Sequence, residues 1–439
     1  MTPTIRKILF YTFLALFFIG APLIVLYTAG YRYSFNGGYI VRTGVLSVST
    51  TPRNVNIFLN DIDTKRKSPY ILKHQIPGNY TLKLQKDRYR TWEGKVEILS
   101  GQTTTIHNVL LFADAVTENL LEVEPYAFSA NPDGTSVAYL NFDHSWYELW
   151  LYDLEKEKSS MIGRFSNLED PELVWSAKGG YLLLHDSTQA EIFSKNGTAI
   201  NSQLAVSAIT TSIFWHPSTD NLLYMSTTEE LLQLDLSAGS ITTFNNVDAE
   251  TILIDASIIT FFDNGTNVEL RQTVQDETSL IALLPRAEYK IAMRDAEFML
   301  LTDEKSHIIL INIHAEQPIL LEKEVKLYDW LEDKDLLAFS DGNEIDVYDA
   351  SSHNTEVVTR QGAAISAIKW HPIGTNILYT AENKLEVIEY QKIAEQRVTT
   401  TLIDNMEIES FWIDEDADFV FLYGTLDSIT GLFELALTR

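Results

Sequence analysis

The densest run of potential ligand atoms is Asp414-Glu415-Asp416-Ala417-Asp418, four carboxylates within five positions. Calcium, a hard cation, takes about six to eight oxygens, and alternating carboxylates can supply several. This run lacks the glycine and the spacing of an EF-hand loop. It also lies between Phe411-Trp412-Ile413 and Phe419-Val420-Phe421, where two apolar runs call for a hairpin turn, so a turn is the expectation. His216 and His371 each stand in a Trp-His-Pro triplet and are expected to be polar turn residues rather than metal ligands. Asn196-Gly197-Thr198 and Asn264-Gly265-Thr266 fit glycosylation sequons, but Asn-Gly is also the preferred tight hairpin turn, and that reading is favoured. The chain has no cysteine, which excludes disulfides, thiolate zinc sites and cysteine nucleophiles. It contains no Gly-x-Ser-x-Gly, P-loop, Gly-x-Gly-x-x-Gly or His-Glu-x-x-His pattern. No catalytic, cofactor-binding or metal-binding residue is therefore assigned, and no cofactor is expected.

Charge supplies the other chemistry. Residues 1–116 carry 14 Lys plus Arg against 6 Asp plus Glu, whereas the remainder carries 19 against 55. So acidic a part is repelled by phosphate backbones, so no nucleic acid partner is expected. The basic part contains Lys65, Arg66, Lys67, Lys83, Lys86, Arg88 and Arg90. These cations suit a solvated strand face or, functionally, contact with anionic lipid headgroups, wall polymers or the chain's own acidic part.

Location follows from Ile8 to Tyr27, twenty residues without a charge, preceded by Arg6 and Lys7. At 1.5 Å per residue they span about 30 Å, one bilayer core. Residues 1–7 are expected to be a cytoplasmic end, because cations flank the inner side of membrane helices. Residues 8–27 form the transmembrane helix and 28–43 a linker, with the bulk of the chain extracytoplasmic. A cleaved secretory signal is the competing reading, although its apolar region is usually about 7–15 residues.

Beyond the linker the pattern is mainly β. Residues 44–112 alternate with period two, as in Val45-Leu46-Ser47-Val48-Ser49 and Val55-Asn56-Ile57-Phe58-Leu59, and turns punctuate them at Ile76-Pro77-Gly78-Asn79-Tyr80 and Ser100-Gly101. A small sandwich is predicted. The order Gly44 to Pro52 (GVLSVSTTP), Ser68 to Leu72 (SPYIL), Ile76 to Tyr80 (IPGNY) and Gly101 to Thr103 (GQT) resembles a PEGA domain. The eponymous Pro-Glu-Gly-Ala is Pro52-Arg53-Asn54-Val55 here, and the usual Gly-Tyr is Arg88-Tyr89. The resemblance implies an extracytoplasmic β-sandwich without catalysis and a bacterial cell-envelope setting.

From 117 to 439 one phrase recurs: an aromatic or apolar pair, a turn, then an apolar strand ending near Tyr. Phe128 to Gly134, Val174-Trp175-Ser176, Trp215-His216-Pro217 and Trp370-His371-Pro372 are clear copies; weaker ones fall near Ile252, Ile291, Trp330 and Trp412. Spacings of about 40 residues predict a β-propeller, with eight blades favoured and seven the alternative. Val116 to Val123 is expected to complete the last unit, which supplies only about three strands. Asn131-Pro132-Asp133-Gly134 and the Trp-His-Pro copies resemble TolB-type and Trp-Asp-repeat propellers. That likeness implies architecture, not activity. The expected work is binding or scaffolding, with the propeller recognising a protein or glycan. A propeller hydrolase or lyase using channel-mouth carboxylates is the alternative, and a structural spacer a weaker one.

Overall fold

A computed structural model describes residues 3–34, 38–200, 210–227, 230–245, 252–254, 257–274, 277–294, 297–392 and 396–438. They fall into two compact units, one of residues 1–116 with 386–402 and 437–439, the other of 117–385 with 403–436.

In the first unit, helix α1 spans Pro3–Thr28, with Pro22 inside it. Its apolar side chains, among them Phe10, Phe13, Phe17, Phe18 and Ile24, are exposed. The Arg32 guanidinium folds back on the helix end, donating to the Tyr27 carbonyl at 2.7 Å and lying 3.6 Å from the Tyr27 ring centre. The segment expected as a plain linker contains a two-stranded antiparallel hairpin, Tyr31–Ser34 with Tyr39–Arg42.

Two sheets follow. One has the order Tyr70–Gln75, Gly44–Thr51, Thr103–Leu110; the other Ile62–Lys67, Asn56–Leu59, Gly78–Gln85, Trp92–Ile98. Alternating burial along Trp92–Ile98 is what a period-two sequence produces when one face is covered. Leu46, Val48 and Ile106 from the first sheet meet Ile57, Leu82, Leu84 and Val96 from the second in one core. The two departures from the PEGA pattern fall at left-handed turn positions. Asn54 has φ 64° and Arg88 φ 63°, so each holds the left-handed conformation that glycine adopts at least cost. Asparagine tolerates that region better than most residues.

Eight further four-stranded sheets occur among the described residues, seven of them wholly within the second unit. Their first strands in chain order are Ala127–Ala130, Glu172–Trp175, Thr210–Trp215, Ile252–Ile254, Tyr289–Arg294, Leu327–Leu331, Ile365–Trp370 and Met406–Ile413. The eight recurring anchors of the sequence thus open the eight sheets. In the last sheet, Met406–Ile413, Phe419–Leu426 and Ile429–Ala436 are joined by Glu118–Glu122 from the start of the unit, which pairs antiparallel with Ile429–Ala436. The strand expected in Val116 to Val123 is this one.

Neighbouring sheets pack face to face. Leu140 and Leu149 of the first meet Leu182, Leu184 and Phe193 of the second. Phe261 and Leu270 of the fourth meet Met299, Leu301 and Ile309 of the fifth. Phe421 and Leu432 of the last meet Val137, Tyr139 and Tyr152 of the first. These sheets bury apolar residues on faces that a lone four-stranded sheet would leave in water, and stacking covers them. This is the repeat of a propeller.

Polar latches fix the stacking. Trp175 Nε1 donates to the Ser129 carbonyl at 3.1 Å and Trp215 Nε1 to the Val174 carbonyl at 3.0 Å, each reaching the preceding sheet. Asn131, buried in the first turn, donates through Nδ2 to the Gly179 carbonyl at 3.0 Å. The Asp220 carboxylate accepts from Ser176 Oγ, Lys178 N and Gly180 N at 2.5–2.8 Å. Close approach explains the Gly179-Gly180 pair. A Cβ on Gly179, where φ is +75°, would stand 1.6 Å from Asn131 Oδ1, and one on Gly180 2.0 Å from Asp220 Oδ2.

Candidate interaction surfaces

The basic residues of the small domain divide by partner. Lys65, Arg66 and Lys67 lie exposed on Ile62–Lys67, an edge strand, with the Arg66 guanidinium 5.1 Å from the Tyr70 ring centre. Lys83 is half-buried with its ammonium 3.7 Å from Asp61. Lys86 donates to the Arg53 carbonyl at 3.1 Å, and Arg88 is exposed 3.9 Å from Asp87. Arg90 is occupied: its two terminal nitrogens donate to the carbonyls of Thr401 and Leu402 at 2.7 and 2.8 Å. Register places Glu93 opposite Lys83 and Lys95 opposite Thr81, so the outer face of this sheet mixes both signs. Of these seven cations, Lys65, Arg66, Lys67 and Arg88 are exposed.

A group that sequence reasoning missed lies in the same unit. Glu389 is buried beside Trp92, whose Nε1 donates to Glu389 Oε1 at 2.8 Å, while Val398 N donates to Oε2 at 3.3 Å. Burial pushes the Glu389 carboxyl up to about 7, against the lowering effect of these two donors. Gly94 makes room for the Trp92 ring, since a Cβ there would come within 2.6 Å of the indole. Sequence adjacency gives no hint of a pair 297 positions apart.

In the second unit the motif residues do turn chemistry. His216 Nδ1 accepts from Ser218 N and Thr219 N at 3.1 and 3.0 Å, and His371 Nδ1 from Ile373 N at 3.3 Å. Asn131 Oδ1 accepts from Asp133 N at 3.0 Å in the same way. Burial drives the His371 imidazole down to about 4, which keeps its acceptor nitrogen unprotonated at neutral pH. Asp414 closes the hairpin that contains the acidic run: its Oδ1 accepts from Phe419 N at 2.7 Å and its carbonyl from Ala417 N at 3.0 Å. Both Asn-Gly-Thr triplets are tight turns, with Gly197 at φ 79° and Gly265 at φ 88°.

A cleft of about 890 Å³ opens between the first and last sheets, with Leu151, Phe419 and Phe421 among its apolar lining. Lys156 and Asp153 pair across 2.5 Å, and Lys195 and Asp133 across 3.8 Å, leaving Glu155, Asp414, Glu415, Asp416 and Glu434 against Lys158. Glu434 is raised by burial and then by Glu118, Glu157 and Asp414; Asp414 is raised by burial and by Asp418. Among the described residues no group of three or more His, Cys, Asp or Glu side chains converges as a metal site would.

A second surface lies at the tip of the hairpin formed by Ser136–Asp143 and Trp146–Asp153. There Tyr126, Phe142 and Trp146 are 48%, 55% and 43% exposed. Tyr147 links the first two, with ring centres 5.2 Å from Tyr126 and 4.8 Å from Phe142. The individual residues were visible in the sequence; their gathering at one tip was not.

Among curated proteins, none matches the chain. Among solved structures, the chain is similar to the C-terminal WD40 domain of Sif2 (12% identical over 74% of this chain and 99% of that one, TM-score 0.48). It is also similar to Saccharomyces cerevisiae Sqt1 (12%, 74% and 98%, TM-score 0.47) and to apo AztD from Citrobacter koseri (10%, 68% and 94%, TM-score 0.43). These likenesses are of overall fold, and the propeller assignment rests on the sheet order and packing described above. The family comparison is local and matches residues 43–111 to the PEGA domain. An apolar N-terminal helix, a PEGA domain at 43–111 and a propeller-like array of four-stranded sheets thus make up the chain.

Proposed function

We propose that this is a membrane-anchored binding or scaffold protein of a bacterial cell envelope, with a cytoplasmic N-terminus, and that its sheet array recognises a protein or glycan by binding rather than by catalysis. One observation carries the anchoring. Ile5–Thr28 is long and apolar enough to cross a membrane, and none of its apolar window is covered by protein. A soluble chain would leave some 24 residues of hydrocarbon in water; 24 residues also rise about 36 Å, enough for the bilayer core with some tilt. Arg6 and Lys7 favour retention of that end inside. The PEGA match supports an extracytoplasmic bulk, and a propeller presents many loops on a rigid frame, the usual arrangement for recognition.

The experiment is carbonate extraction of membranes combined with protease treatment of spheroplasts. Retention in the extracted membrane, with both β units digested from outside, is the expected result. A mature chain starting beyond Thr28 and released into the soluble fraction would replace the anchor with a cleaved signal. Digestion only after lysis would invert the topology.

A further inference from the structure

We infer that the aromatic tip of the first sheet is the docking point for an arginine-bearing segment of a protein partner. This rests on the binding-protein reading above and names the partner's chemistry. Single exposed apolar residues are ordinary, but grouped ones rimmed by polar residues mark interaction sites. Tyr126, Phe142 and Tyr147 form one cluster, and Trp146 stands on the other face of the same hairpin, opposite Asp143 in register. Tyr, Trp and Phe are the residues most enriched where interfaces concentrate their energy.

The ring geometry and the charge select the partner. Tyr126 and Tyr147 cross at 77° and Phe142 and Tyr147 at 48°. The face of an exposed aromatic ring attracts a cation. The protein already uses one in this way, because the Arg164 guanidinium lies 5.2 Å from the Trp146 ring centre while it pairs with Glu148 at 3.4 Å. The Asp170 carboxylate touches the cluster, its Oδ1 accepting the Tyr126 hydroxyl at 2.9 Å, and Asp143 stands opposite Trp146 on the other face of the hairpin. An arriving guanidinium can stack on a ring and donate to a neighbouring carboxylate together, which a lysine ammonium or a neutral side chain does less well.

The tip is held in shape. Its two strands pair without interruption from Ser136↔Asp153 to Asp143↔Trp146. The loop carrying Asp170 is pinned by the buried Asp186 carboxylate, which accepts from Glu169 N at 2.8 Å and from Thr188 N and Gln189 N at 2.7 Å. Little ordering is left to be done on binding.

The test uses the full chain in lipid nanodiscs and a fluorescent alternating Arg-Ala peptide, read by anisotropy at physiological salt. Alternating Gln-Ala and Glu-Ala peptides and a neutral oligosaccharide serve as competitors. Saturable binding is expected, weakened about tenfold or more by Phe142→Ser and by Trp146→Ser. It should be unchanged by Ile241→Ser, an equally exposed apolar residue on the third sheet. Because both tip residues are about half exposed, their loss should spare the fold, and an unchanged melting curve verifies that. Three outcomes overturn the inference: no saturable binding, equal affinity in wild type and both tip variants, or displacement by Gln-Ala or the sugar as readily as by Arg-Ala. Membrane retention is measured on the same variants. A retained chain that ignores the peptide sinks the docking site alone, while a released chain that still binds it sinks only the anchor.

Discussion

Replacing Glu389 by Gln tests how the first unit holds residues 386–402. Gln keeps an oxygen to accept from Trp92 Nε1 and occupies nearly the same volume, but it cannot ionise. In the wild type the carboxyl is raised from 4.5 to about 7 because burial penalises its charge. The folded form therefore holds this proton more tightly than the unfolded chain, and its advantage is full below pH ~4.5 and lost as pH rises through ~7. The whole gap is worth about 3 kcal/mol at 1.36 kcal/mol per pH unit. Urea unfolding of the full chain in detergent, followed by fluorescence across about pH 5 to 8, reads it. Wild type should lose stability over that range relative to Glu389→Gln, with the two curves converging toward the acid end and separating by up to about 3 kcal/mol at the alkaline end. Parallel curves would refute the reasoning, since they would mean that Glu389 ionises in the folded state as easily as in water.

Two further perturbations act elsewhere. His371 titrates in the opposite sense: its folded value, about 4, lies below the ordinary 6.5, so wild type should lose stability as pH falls from about 6.5 toward 4. His371→Asn, which copies the turn acceptor at Asn131, should abolish that acid sensitivity in the same titration. Arg88→Gly relieves a left-handed backbone and gives up only an exposed ion pair 3.9 Å long; it should stabilise the small domain by about 0.5–1 kcal/mol, read as a higher urea midpoint. A lowered midpoint would show that the Arg88 side chain outweighs its backbone cost.

Periodicity decided much of the architecture. Alternation along Trp92–Ile98 and the recurring anchors from Phe128 to Trp412 follow from local rules, because a strand with one covered face must alternate and a hairpin must turn on Gly, Asn or Asp. The hairpin role of Asp414 was legible for the same reason, since apolar runs flank it on both sides. Tyr31–Ser34 and Tyr39–Arg42 pair as strands inside the segment expected as a linker; four residues are too few to display a period. Asn54 and Arg88 broke a glycine pattern in sequence, yet the turn geometry persisted, since neighbouring strand pairing fixes the backbone and the residue bears the strain.

What the sequence by itself determined is the type and order of the elements: one uncharged helix, a small basic β domain and an acidic run of repeated strands. Those properties depend on neighbours a few positions apart. Only the tertiary structure decided which side chains meet across long separations. It set Glu389 against Trp92, turned Arg90 toward two carbonyls, laid Asp220 over the Gly179-Gly180 turn and gathered Tyr126, Phe142 and Trp146 at one tip. The physical reason is that burial, acidity and cation affinity depend on distances through space, and those are fixed only once the sheets have stacked.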